Sequence, residues 1–145
     1  KIKKHIALGF EQLTDAVEIE LHSPPQGGQI QHIEGLQTLA AALRNAIAGI
    51  LGIDALDLGC FARRFQDTDG SHVSMVLYDH HASGCVTRLP NFWKEAFEKA
   101  TQSLDCPQDC ESACPHCVLS FDLRQQVIRL DRHAALHILE ICRIP

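Results

Sequence analysis

Cys106-Pro107-Gln108-Asp109-Cys110-Glu111-Ser112-Ala113-Cys114-Pro115-His116-Cys117 sets four cysteines within twelve residues, with three, three and two residues between successive thiols. Spacings this short let paired thiolates curl around one cation, and four sulfurs at about 2.3 Å satisfy the tetrahedral preference of zinc with no position left for water. A closed site of that kind holds structure and does not catalyse. In isolated finger peptides its apparent binding energy of roughly 10–16 kcal/mol is coupled to folding; in a chain with a larger core the coupling becomes local. The rival readings are an iron–sulfur cluster, disulfides, or free thiols. His116 could replace one sulfur, but Cys117 completes the set without it, so His116 reads as an outer or exposed residue.

Outward from this stretch, the chain reads as one domain. Its 145 residues, 46% of them hydrophobic, are enough to bury a single core. The formal net charge of −5 argues against a free-standing, non-specific nucleic-acid binder. No apolar run reaches the roughly 18–20 residues that span a bilayer, and Lys1-Ile2-Lys3-Lys4-His5 is not followed by a secretory segment. Seven cysteines, an odd number, fit a reducing, cytoplasmic setting better than a secreted disulfide scaffold; Cys60, Cys85 and Cys142 lie in apolar surroundings and read as core thiols. The chain starts without Met and enters an apolar run, His5 to Phe10, almost at once, which suggests a piece of something longer.

The periodicities predict an α+β fold: a small, mainly antiparallel sheet packed by helices, with the cysteine knuckle between two C-terminal helices. Asp15 to Leu21 alternates, with Val17, Ile19 and Leu21 on one face. Ser23 to Gly28 reads as a loop. From His32 to Leu51 the apolar residues recur at three and four, and Gly52 ends the helix. Leu58 to Phe65 and Val73 to Asp79 read as an antiparallel hairpin whose second strand is central and covered on both faces. Asn91 is placed to cap a helix carrying Trp93, Ala96, Phe97, Ala100 and Leu104, and Asp131 to cap a last helix with Ala135, Ile138, Leu139 and Cys142 inward.

A second constellation is Tyr78-Asp79-His80-His81, where a carboxylate and two imidazoles could serve a metal-dependent hydrolase. Adjacent side chains on a strand diverge, which favours a turn role for Asp79, His80 and His81. His133 and His137 sit four apart on the last helix and read as exposed. Arg63, Arg64, Arg88, Arg124, Arg129 and Arg132 are candidates for phosphate or partner contacts, against the plainer reading of a solvated face. Neither a phosphate-binding Gly-Lys-Ser/Thr loop nor a nucleophile elbow is present, so no catalytic residue is assigned.

Taken in order, Thr14-Asp15-Ala16-Val17-Glu18-Ile19, Val76-Leu77-Tyr78-Asp79, Ser83-Gly84-Cys85-Val86, the cysteine cluster, Ser120 and Leu130-Asp131-Arg132-His133-Ala134-Ala135-Leu136 resemble the MrfA-type zinc-binding (MZB) domain over nearly the whole chain. That family occurs at the C-terminus of superfamily-two DNA helicases of the mitomycin-repair type, with related domains in the DrmB subunit of the DISARM phage-defence system. The resemblance implies that Cys106, Cys110, Cys114 and Cys117 hold one structural Zn2+. It also implies that residues 1–145 form an accessory domain of a longer ATP-dependent helicase, or of a partner subunit, whose motor lies elsewhere and which meets DNA as a whole protein. A protein-interaction module of a defence complex is the other non-catalytic reading. The chain departs from the family where a Gly-Gly-Ala-Gly-like turn is expected and His81-Ala82-Ser83-Gly84 stands.

Overall fold

The computed structural model describes residues 11–24, 28–68 and 70–144; the apolar run from His5 to Phe10 lies outside them. The elements are β1 (Ala16–Ile19), β2 (His22–Ser23), β3 (Gly28–Gln29), α1 (Ile33–Leu51), β4 (Leu58–Asp67), β5 (Gly70–Asp79), α2 (Trp93–Leu104) and α3 (Arg132–Cys142). Three short 3-10 segments, Ala55–Asp57, Val86–Asn91 and Phe121–Arg129, link them.

The sheet has the order β1-β5-β4 and is antiparallel throughout, with Val17 opposite Leu77 and Cys60 opposite Leu77 from the other side. β5 is central, as its run of apolar residues predicts. Cover on both faces is not what is found. Val73, Met75 and Leu77 point into the core and are fully buried, whereas Val76 and Tyr78 on the opposite face are only half-buried, beside the 40% exposed Phe61. The β4–β5 hairpin also runs further than its hydrophobicity suggests, to Asp67 opposite Gly70. Here polar cross-strand pairs carry the ladder; Phe65 and His72 face each other with rings stacked at 5.4 Å. The flanks of the expected loop likewise pair, as the short β2–β3 ladder.

Helix α1 is the centre of the domain. It starts where His32 Nδ1 accepts the Gly35 N–H at 3.0 Å, and it ends at Gly52, whose φ of 69° is the left-handed cap that glycine adopts at no steric cost. It lies against β4 and β5 as well as α2 and α3, so residues from Gly35 to Leu43 are buried all round. A helix with one apolar stripe would need polar residues on its far side; here alanines let neighbours approach from several directions. Asp131 caps α3 as expected, accepting from Ala134 N–H at 2.9 Å. Asn91 does not cap α2: it belongs to the preceding 3-10 segment, and Phe92 occupies the cap position without a side-chain bond. Among the described residues no helix is long and apolar enough to cross a membrane.

Candidate metal centre

α2 ends at Leu104, which is fully buried, and delivers the chain to Cys106. Two tight turns follow. In the first, Asp109 N–H donates to Cys106 C=O at 2.9 Å while Asp109 adopts φ 45°. In the second, the N–H groups of Cys117 and Leu119 both donate to Cys114 C=O, at 3.0 and 3.1 Å. Each turn presents two sulfurs to the same point. Cys106 and Cys114 Sγ are 3.5 Å apart, Cys110 and Cys117 3.7 Å, Cys114 and Cys117 3.8 Å, and all four lie within 4.8 Å of one another.

These separations test the donor set. A disulfide needs about 2.05 Å between sulfurs. A regular tetrahedron of sulfurs with bonds of about 2.3 Å has edges of about 3.8 Å. Three of the six separations are those of that tetrahedron and all lie within 4.8 Å, so the four cysteines could hold one metal ion. Among the described residues no other group of histidine, cysteine and carboxylate side chains converges in this way. His116 is exposed and stays outside the cluster.

The thiols differ in acidity. The hydrogen bond from the Cys110 backbone N–H draws Cys106 down to about 6, while burial pushes Cys110 up to about 12 and Cys114 upward. Cys106 thus favours the thiolate near neutral pH, whereas Cys110 and Cys114 would give up protons to a cation, so binding is proton-linked.

Arg132 fastens the loop from behind. Its side chain is 4% exposed; Nε donates to Cys110 C=O, Nη1 to Leu104 C=O at 3.4 Å, and Nη2 to the Asp109 carboxylate. Its backbone N–H also donates to Ser112 C=O at 2.9 Å. Burial works against the Arg132 charge, but Asp109 and Cys110 more than offset it. Arg132 is therefore an internal brace and does not face a phosphate or partner. Arg63 is engaged with Glu18 at 2.9 Å and Arg64 with the Gln31 carbonyl at 3.2 Å, whereas Arg88, Arg124 and Arg129 are exposed.

A second brace escapes the sequence reading. Arg44, in the middle of α1 and 1% exposed, donates to Asp122 at 2.5 Å and to Ser120 Oγ at 2.6 Å. Thr38 Oγ1 accepts from Asp131 N–H at 2.7 Å. Both ends of the stretch from Ser120 to Asp131 are thereby tied to α1. The available signal was an arginine four residues from Ala40 and Ala48, on an otherwise apolar face of the helix.

Asp79, His80 and His81 do not come together as a site. Asp79 is fully buried and its carboxylate is saturated, accepting from the N–H groups of Ser83, Cys85 and Val86 at 3.3, 2.8 and 3.0 Å and from Ser83 Oγ at 2.9 Å. His80 turns its ring against Tyr78, 5.3 Å between centroids, and both histidines are exposed. Divergence along the strand has placed the carboxylate inward and the imidazoles outward, which removes the hydrolase reading. The turn that follows, where family glycines are missing, needs left-handed backbone only at Gly84, φ 70°, whose N–H donates to Asp15 at 3.0 Å. His133 and His137 are exposed, as expected; Cys60, Cys85 and Cys142 are half-buried against the core.

Residues 39–118 match the family model of the MrfA Zn-binding domain, MZB. Two solved structures share the fold: a DUF1998 helicase MrfA bound to DNA, 20% identical with TM-score 0.63, and the same helicase bound to DNA and AMPPNP, 18% identical with TM-score 0.60. They cover 93% and 92% of this chain, while the chain spans only 18% and 16% of theirs. No curated protein matches it. With a family model over more than half its length and four sulfurs at tetrahedral spacing, the chain belongs to the MrfA zinc-binding domain family.

Proposed function

We propose that this chain is the structural zinc module of an ATP-dependent DNA helicase: Cys106, Cys110, Cys114 and Cys117 bind one Zn2+, and the braced domain supports the motor or its nucleic-acid path. The motor lies outside residues 1–145, in the same polypeptide or a partner subunit. The domain itself catalyses nothing, and the whole protein acts in the cytoplasm, in DNA repair or phage defence. The convergence of four sulfurs at tetrahedral spacing, held by Arg132 from inside, carries the reading. A coordinatively closed site has no position for substrate or water, which suits a structural role. Family membership and the likeness to a DNA-bound helicase supply the context.

The test has two parts. Elemental analysis is expected to find one zinc per chain, kept in His80→Ala and His81→Ala and lost in the paired substitution Cys114→Ser, Cys117→Ser. In the full-length polypeptide the same pair should slow DNA unwinding. If a motor lacking residues 1–145 unwinds as well as the intact protein, the supporting role is refuted.

A further inference from the structure

We propose that the cavity between the start of α1 and the outer edge of β4 seats an extended protein segment of the helicase motor, which offers neutral main-chain carbonyls to Gln37 and Arg129. This rests on the accessory-domain reading above and adds the face by which the domain docks.

β4 is an outer strand, so alternate backbone groups along it have no strand partner. Gln37 reaches across from α1 to one of them, its Oε1 accepting the Ala62 N–H at 2.7 Å. That bond fixes the carboxamide orientation, because only the oxygen can accept. The other end, Nε2, is then a buried donor with no hydrogen-bond partner among the described residues, on a side chain whose residue is 8% exposed. Buried donors are nearly always satisfied in native proteins, and leaving one unmade is costly. This one lines a cavity of about 260 Å³ together with Ile33, Glu34, Ala62 and Arg129. Ile128, the chain neighbour of Arg129, is 89% exposed and offers a position from which to probe this face.

The lining states what would fill it. Gln37 and Arg129 call for acceptors, Glu34, which lies 3.8 Å from His32, calls for a donor, and Ile33 and Ala62 offer apolar contact. A peptide backbone supplies C=O and N–H side by side, and its side chains supply the rest. A phosphate would suit Gln37 and Arg129 but would meet the Glu34 carboxylate, in a chain of net charge −5. The charge pattern thus favours protein over nucleic acid.

The experiment is photocrosslinking in the full-length polypeptide, with a benzophenone amino acid in place of Ile128 and a labelled single-stranded oligonucleotide present. The expected product joins position 128 to a peptide of the motor. Gln37→Glu keeps the acceptor for Ala62 N–H but replaces the donor with a negative oxygen, and should lower the yield about tenfold or more with zinc content intact. Arg129→Gln, at an exposed position, should also lower it, and decides the matter if Gln37→Glu melts early. Crosslinking to the oligonucleotide, or a yield unaffected by Arg129→Gln, overturns the proposal. A second benzophenone in place of Trp93, on the β1 side, separates the two readings. Products from position 93 and none from 128, or silence at both, refute this face while leaving the accessory role; a motor that unwinds as well without residues 1–145 refutes both.

Discussion

Replacing Arg132 with glutamine should weaken the metal centre without touching a ligand. The side chain has three partners, two of them main-chain carbonyls of the residues that frame the cluster, Leu104 and Cys110. The third, Asp109, is 93% exposed and contributes little, as solvent screens it. Stranding two enclosed carbonyls at about 1–3 kcal/mol each, with the longer Leu104 bond counted at the low end, gives a loss of roughly 2–4 kcal/mol. For a chain of this size that lowers the melting temperature by roughly 5–12 °C. Partners that orient a ligand loop typically change metal affinity by about 10–100-fold. Competition against a chromophoric zinc chelator reads the second effect and a thermal melt the first. Arg132→Lys should fall between the two, since it keeps the charge but not the fork. A glutamine variant that competes within twofold of wild type and melts at the same temperature would show that Arg132 does not brace the loop.

Other outcomes are equally concrete. Asp79→Ala leaves three backbone N–H groups and a hydroxyl without their acceptor and should cost about 2–4 kcal/mol in urea unfolding, with zinc stoichiometry unchanged. Leu39→Ala, at a fully buried position of α1, should cost about 3–5 kcal/mol by the same measurement. Burial pushes the Asp122 carboxyl up, but hydrogen bonds from Arg44 and Ser120 more than reverse this and hold it below its ordinary value. Its contribution is therefore present above the unfolded carboxylate pKa of about 4 and is lost as pH falls through the lower folded value. The stability gap between wild type and Asp122→Asn should be constant from pH 7 to about 5 and close below that; a gap that widens in acid contradicts the assignment.

What the sequence disclosed and what it withheld divide along physical lines. The end of α1 and the start of α3 were legible because Gly52 and Asp131 sit where caps must be and the apolar spacing beside them is regular. The cysteines were legible because twelve residues can bring four sulfurs together with little help from the rest of the chain. Arg44 was not, since its partners Ser120 and Asp122 are 76 and 78 positions away and a local pattern cannot pair them. The 3-10 segment Phe121–Arg129 has no lasting period, and it is held from its ends by α1. The open face of β5 was misjudged for a related reason: Val76 and Tyr78 are apolar, but whether anything covers them depends on which side α1 takes. The turn role favoured for Asp79, His80 and His81 was legible because adjacent side chains on a strand diverge.

The enclosure of α1 on several sides implies an order of disassembly. Its amide hydrogens should be the last to exchange with solvent, because nothing short of global opening can reach them. Partial unfolding that frees α1 must also release both ends of the stretch after the cysteines. The unit would then respond to strain as a single rigid block, a mechanical property useful to anything mounted beside a moving machine.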